Sequence, residues 1–132
     1  MTSGLLDTSV FIATEAGRHL GRLPKRSAIS VVTLGELELG VLAATDDPTR
    51  ARRAETLAVA RQADPIPVTE AVMTAWARLV DDCRHAGISR MVRLTDSLIA
   101  ATAITHGLSV VTQDTDFDVV ARAHPPLRVL RV

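Results

Sequence analysis

The chain has 132 residues, 47% of them hydrophobic and 23% charged, and its 15 basic and 15 acidic residues leave no formal net charge. That is the size of one ordinary domain with a core of its own, and the composition is too apolar for a disordered chain. Zero net charge excludes a uniformly basic nucleic-acid coat, 2% aromatics without Tyr argue against a base-stacking sheet, and a lone Cys83 excludes an internal disulfide or a thiolate-built zinc centre.

Gly4-Leu5-Leu6 predicts a first strand. Asp7-Thr8-Ser9 ends it and supplies the N-cap of a short helix over residues 10–14. A second short strand is expected over 27–29. Ser30 then caps a helix from 31 to about 44. Asp46-Asp47-Pro48 opens another helix through Arg61, with proline in its first turn. Residues 64–68 hold two alternating prolines and suit an edge strand. Thr69 opens a long helix to about 86, closed by Gly87. Thr95 is expected to cap an alanine-rich helix that ends at His106-Gly107. A strand over 108–112, a short helix over 117–123 and a strand over 127–130 complete the chain.

Helices alternating with short, nearly continuous apolar strands imply an α/β fold, with a mostly parallel sheet between helical layers. There is no internal repeat, low-complexity stretch or linker, so one domain over residues 1–132 is expected. No segment approaches the roughly 20 apolar residues that span a bilayer, and no basic region precedes an apolar run. A cytoplasmic protein without membrane contact is expected.

In a βαβ unit the helix N-terminus lies at the same edge as the strand C-termini, where open parallel sheets bind ligands. Asp7 ends the first strand. Asp114 and Asp116 follow the strand over 108–112. Asp96 lies in the first turn of its helix. Glu36 lies in the second turn of its own, with its side chain leaning back toward the N-terminus. Five carboxylates far apart in sequence are thereby sent to one edge. Such a cluster needs protons or divalent cations to neutralise it, and oxygen-only donors suit Mg²⁺ or Mn²⁺ rather than zinc.

Each acid also has a plainer reading. Asp7 caps a helix, Glu36 completes a capping box with Thr33, Asp96 complements a helix dipole, and Asp114 and Asp116 make a turn. Glu38 rivals Glu36, because apolar residues surround that helix and periodicity does not choose. Asp114, Asp116 and Asp118 begin like an EF-hand loop, but Val119 and Pro125 stand where Gly and Glu are needed. A single lysine, Lys25, speaks against a receiver domain. Trp76, Val72, Leu79, Val80 and Cys83 form a core stripe, and the arginines of 50–61 form a solvated face. The four histidines show no ligand spacing.

Taken in order, Leu-Leu-Asp7-Thr-Ser, Thr33-Leu-Gly-Glu36-Leu, Leu94-Thr-Asp96-Ser-Leu-Ile-Ala-Ala and Val-Val-Thr112-Gln-Asp114-Thr-Asp116-Phe117 resemble the PIN-domain family, in particular its VapC-type toxins of type II toxin–antitoxin pairs. The resemblance spans nearly the whole chain. It implies a three-layer α/β/α sandwich with a short, mostly parallel sheet. It also implies a Mg²⁺- or Mn²⁺-dependent endoribonuclease acting on an RNA substrate, a homodimer, and a cognate VapB-type antitoxin. By position, Asp7, Glu36, Asp96 and Asp114 are then the catalytic metal-binding quartet. Asp116 is an additional ligand whose division of roles with Asp114 stays open. Ser9 and Thr112 are hydroxyls that orient carboxylates or water. Lys25, Arg26, Arg90 and Arg93 are candidate phosphate contacts. The competing reading is a catalytically silent PIN-like module that only binds RNA or protein.

Overall fold

A computed structural model describes residues 3–132. Four short strands, β1 (Ser3–Leu6), β2 (Arg26–Ala28), β3 (Ser109–Thr112) and β4 (Val129–Arg131), form one sheet in the order β2-β1-β3-β4. Every pairing is parallel. The helices are α1 (Thr8–Glu15), α2 (Val31–Ala43), α3 (Asp47–Arg61), α4 (Glu70–His85), α5 (Leu94–Thr105) and α6 (Asp116–Ala123), with a 3₁₀ turn at Ser89–Met91. No helix among the described residues is long and apolar enough to cross a membrane.

The strands' two-residue period divides the core into two layers. Leu5 and Val110 face one side and pack with Leu79 and Cys83 of α4, Ile99, Ala100 and Ala103 of α5, and Phe117 and Val120 of α6. Leu6 faces the other side, toward Phe11 of α1, Leu37 of α2, and Leu57 and Ala60 of α3. Helices therefore cover both faces, giving the expected three layers. Helix α5 is the most enclosed: Ile99, Ala100, Ala101, Thr102 and Ala103 are all fully buried. Its small side chains let it lie close to β1 and β3, which fixes where its N-terminus meets the sheet edge.

Asp7, Ser30, Asp46 and Thr69 each cap a helix by accepting a backbone N–H, as their residue types dictate. Thr95 does not. Helix α5 begins two residues earlier than a Thr95 cap requires, at Leu94, and its N-cap is Arg93, whose side chain makes no capping bond. The Ser97 N–H already bonds the Arg93 carbonyl at 3.0 Å, so Thr95 lies inside the helix and Asp96 is its third residue.

Residues 64–68 form no strand. Only Ile66 joins the sheet edge, in a single parallel bridge to Ser30. Its N–H donates to the Ile29 carbonyl at 2.8 Å and its carbonyl accepts from Val31 at 3.0 Å. Beyond this bridge Val31 has entered α2 on one side and Asp64 is left-handed (φ 54°) on the other, so the ladder ends in both directions. The last strand runs Val129–Arg131 rather than 127–130, because Leu127 closes a turn by donating to the His124 carbonyl at 3.0 Å.

Candidate active site

The strand order reverses between β1 and β3: the chain moves outward one way to β2 and the other way to β4. Helices diverge at such a switch point and leave a crevice at the strand C-termini. Asp7 follows β1 and Asp114 follows β3, so the two aspartates flank that crevice.

Asp7 is 3% exposed and tied to β3. Its N–H donates to the Val111 carbonyl at 2.8 Å, extending the ladder by one bond. Its Oδ2 accepts from the Thr112 hydroxyl at 3.0 Å and, more weakly, from the Ser9 N–H at 3.4 Å. Thr112 has one proton and gives it to Asp7, so Ser9 is the donor in the 3.1 Å contact between the two hydroxyls. The Gln113 N–H donates to Ser9 Oγ and the Asp114 N–H to Thr112 Oγ1, each at 3.0 Å. Thr112 thus joins Asp7 and the backbone of Asp114 through one oxygen. The two hydroxyls named from the sequence meet here.

Glu36 enters from α2, half-buried, with Oε1 accepting from the Thr8 hydroxyl at 2.6 Å. It forms no capping box with Thr33: Ser30 is the cap, and the buried Thr33 hydroxyl has no partner. Glu38 is exposed and pairs with Arg61 at 3.5 Å on the surface, away from the crevice. Asp96 is 5% exposed and receives Arg93 Nε at 3.2 Å and Nη2 at 3.5 Å. Asp7, Glu36 and Asp114 line one cleft of about 190 Å³, with Thr8 and Ser9 on its wall and Arg18 and Arg93 beside them. Asp116 is exposed at the start of α6 and stands outside the cleft lining.

The acids sit within one another's fields. Burial pushes Asp96 up to about 6; Arg93 opposes the rise, while the charges of Asp7 and Glu36 add to it. Burial also raises Asp114, and the negative charges of Asp7 and Asp116 reinforce that shift. An oxygen-only set with this surplus of negative charge fits a hard divalent cation. Among the described residues, no three acidic, His or Cys side chains are drawn together closely enough to hold a metal ion as they stand. Asp7 accepts from Thr112, Glu36 from Thr8 and Asp96 from Arg93, so each of these carboxylates is already oriented by a hydrogen bond.

Of the basic candidates, only Arg93 reaches the cleft. Arg26 pairs in register with Ser3, the first residue of β1, which puts it and Lys25 at the opposite sheet edge. Arg90 is exposed in the 3₁₀ turn. Three cleft residues, Thr8, Ile12 and Arg18, escaped the sequence reading. Thr8 was visible only as the middle of Asp-Thr-Ser, and nothing local marks Arg18, which follows the left-handed Gly17 (φ 70°) at the end of α1.

Residues 4–123 match the PIN domain. The chain belongs to the PIN-domain family. Within it, the chain resembles Ribonuclease VapC8 of Mycobacterium tuberculosis, at 66% identity over 100 residues that cover 76% of this chain and 89% of the relative. Ribonuclease VapC5 of the same organism is 47% identical over 117 residues, covering 87% and 85%. The crystal structure of VapBC-5, a member of the VapBC family of toxin–antitoxin systems from Mycobacterium tuberculosis, superposes with a TM-score of 0.90 at 39% identity over the whole of both chains. The chain is thus a PIN domain of the VapC type, and its carboxylate cleft lies at the switch point of a PIN sheet.

Proposed function

We propose that this VapC-type PIN domain is the endoribonuclease toxin of a toxin–antitoxin pair, restrained by a VapB-type antitoxin. Asp7, Glu36, Asp96 and Asp114 would hold Mg²⁺ or Mn²⁺, with Asp116 able to join from the rim. One observation carries the reading: Asp7, Glu36 and Asp114, carboxylates from three separate segments, line a single cleft at the sheet's switch point, and Asp96 is paired with Arg93 on its wall. Relatives named ribonucleases support the activity, and the VapBC-5 structure supports the antitoxin.

When bound, the cation supplies Lewis acidity, neutralising a phosphodiester and making water a competent nucleophile at neutral pH. The chain's own groups divide the remaining work. Thr112 and Ser9 fix Asp7, so this carboxylate needs no reorganisation as charge develops. Glu36, held by one Thr8 hydrogen bond, keeps an oxygen free to accept a proton from attacking water. Arg18 and Arg93 supply positive charge at the cleft for phosphate oxygens. In a chain of zero net charge, attraction for RNA must be local in this way. A homodimer in the cytoplasm is part of the same proposal.

The test is purified protein, freed of antitoxin, incubated with a mixed RNA pool. Cleavage with Mg²⁺ or Mn²⁺, its loss with chelator, and its loss in a folded Asp7→Ala variant are the expected results. A folded wild type that cleaves no RNA in either metal leaves the binding-only module as the better reading.

A further inference from the structure

Arg93 holds a position that hydrogen bonding alone does not explain. It is the N-cap residue of α5, yet it caps nothing with its side chain. Its guanidinium instead turns onto Asp96, three residues along, with Nε 3.2 Å from Oδ2 and Nη2 3.5 Å from Oδ1. Both contacts exceed the roughly 2.7–2.9 Å of a tight charge-assisted pair. The partners differ sharply in environment: the Arg93 side chain is 66% exposed and that of Asp96 7%. Among the described residues, Asp96 receives no other side-chain hydrogen bond, and no other member of the quartet has an ion pair. A carboxylate this enclosed does not stay charged without a partner. The guanidinium carries its charge at every relevant pH, and it stands on the cleft shared by Asp7, Glu36 and Asp114.

We propose, resting on the cation site above, that Arg93 is the built-in counter-ion of the acidic cleft: it holds Asp96 in the metal-free protein and leaves it for the substrate's phosphate when a divalent cation takes Asp96. The geometry favours this exchange. A cation ligated by Asp96 repels the adjacent guanidinium and removes the negative charge that held it. Arg93 needs only side-chain rotation to leave, because its stem is in solvent. After release it is still on the wall of the cleft. Two consequences follow. Arg93 weakens cation binding in the absence of RNA, and it contributes to RNA binding once the cation is in place.

The experiment is calorimetric titration with Mn²⁺ alone, without RNA, at a mildly alkaline pH that keeps Asp96 ionised in every variant, on wild type, Arg93→Gln and Arg93→Lys. Loss of a pair whose exposed guanidinium keeps it worth up to about 1 kcal/mol predicts Mn²⁺ binding up to about fivefold tighter in Arg93→Gln. Arg93→Lys, which keeps the charge, should stay near wild type. In RNA cleavage at saturating Mn²⁺, Arg93→Gln should raise KM more than it lowers kcat. Wild type alone provides a second reading: the Arg93 Nε resonance in ¹⁵N NMR should shift on adding Mg²⁺ as the Asp96 pair breaks. Wild type that binds Mn²⁺, with Arg93→Gln binding no tighter or the Nε resonance unmoved, overturns the counter-ion role and leaves the cation site standing. Wild type that binds no Mn²⁺ removes the cation site and the counter-ion role together.

Discussion

The Thr112 hydroxyl donates to Oδ2 of Asp7 at 3.0 Å, joining residues 105 positions apart in the chain. The same oxygen accepts the Asp114 N–H at 3.0 Å. One side chain therefore sets the position of both aspartates that flank the switch point. Thr112→Val keeps the shape but removes three hydrogen bonds, to Asp7, from Ser9 and from the Asp114 N–H. It should lower unfolding free energy by about 1–3 kcal/mol, read by urea denaturation. RNA cleavage should fall while the protein is still folded, and Thr112→Ser should restore most of both. Full activity in a folded Thr112→Val protein would show that the hydroxyl does not orient Asp7 for function.

Glu36 and Glu38 are separated by what each side chain touches. Glu36 accepts from Thr8 beside the cleft, whereas Glu38 pairs with Arg61 in solvent. Glu36→Gln should abolish RNA cleavage with little change in melting temperature. Glu38→Gln should leave cleavage intact and move stability by no more than about 0.5 kcal/mol. Thr8→Val should fall between them, through a mispositioned Glu36. Equal loss in the Glu36 and Glu38 variants would mean that helix α2, not one carboxylate, is being tested.

The edge to which the acids go was legible without coordinates, because helix N-caps and strand ends are marked by residue type and the parallel topology does the rest. Asp7, Asp96 and Asp114 needed only that rule. Glu36 was different: helix α2 is apolar around much of its circumference, so no period distinguishes Glu36 from Glu38, and only the family resemblance chose between them. Contacts closed by long side chains were not legible at all. Arg18 reaches the cleft from beyond the far end of α1, and Arg93 sits at a cap position that the sequence assigned to Thr95. Residues 64–68 misled because alternation signals an edge strand, while the paired segment turns into α2 at Val31 and Asp64 is left-handed, which leaves Ile66 a single bridge.

Stability of the metal-free protein should fall as pH rises through the weakly acidic range, and Asp96 should be the main cause. Its carboxyl is raised from the ordinary 3.8 to about 6 in the fold, chiefly by burial. The folded state therefore binds that proton more tightly than the unfolded state does. The stabilisation is complete below about pH 4 and is lost between about pH 4 and 6. A rise of this size sets a ceiling of about 3 kcal/mol, and the Arg93 pair that Asn would lose offsets part of it. Asp96→Asn should flatten this pH dependence and leave the metal-free melting temperature at pH 7 equal or higher. Added Mn²⁺ should raise the wild-type melting temperature and leave that of the variant nearly unchanged. A clear fall for Asp96→Asn at pH 7 would make Asp96 a structural residue of the α5 terminus.

Packing behind the cleft is as exacting as its hydrogen bonds. A Cβ on Gly4 would run into Val111 Cγ2 and lie 3.0 Å from Pro24 Cγ, closer than real methyl groups approach. Gly4 therefore leaves room on this face of β1 for Val111 of the neighbouring β3, the residue whose carbonyl accepts the Asp7 N–H. Gly4→Ala should force the strands apart, costing about 1–3 kcal/mol, and RNA cleavage should drop in the fraction that is folded, because Asp7 and Thr112 move relative to each other. Val111→Ala alone leaves a void, but in the double variant the methyl added at position 4 occupies that space. The two substitutions should therefore be strongly non-additive, with the double variant more stable than the sum of the single losses. Additive losses would mean that the added methyl clashes elsewhere, and that the spacing of β1 and β3 does not depend on this contact.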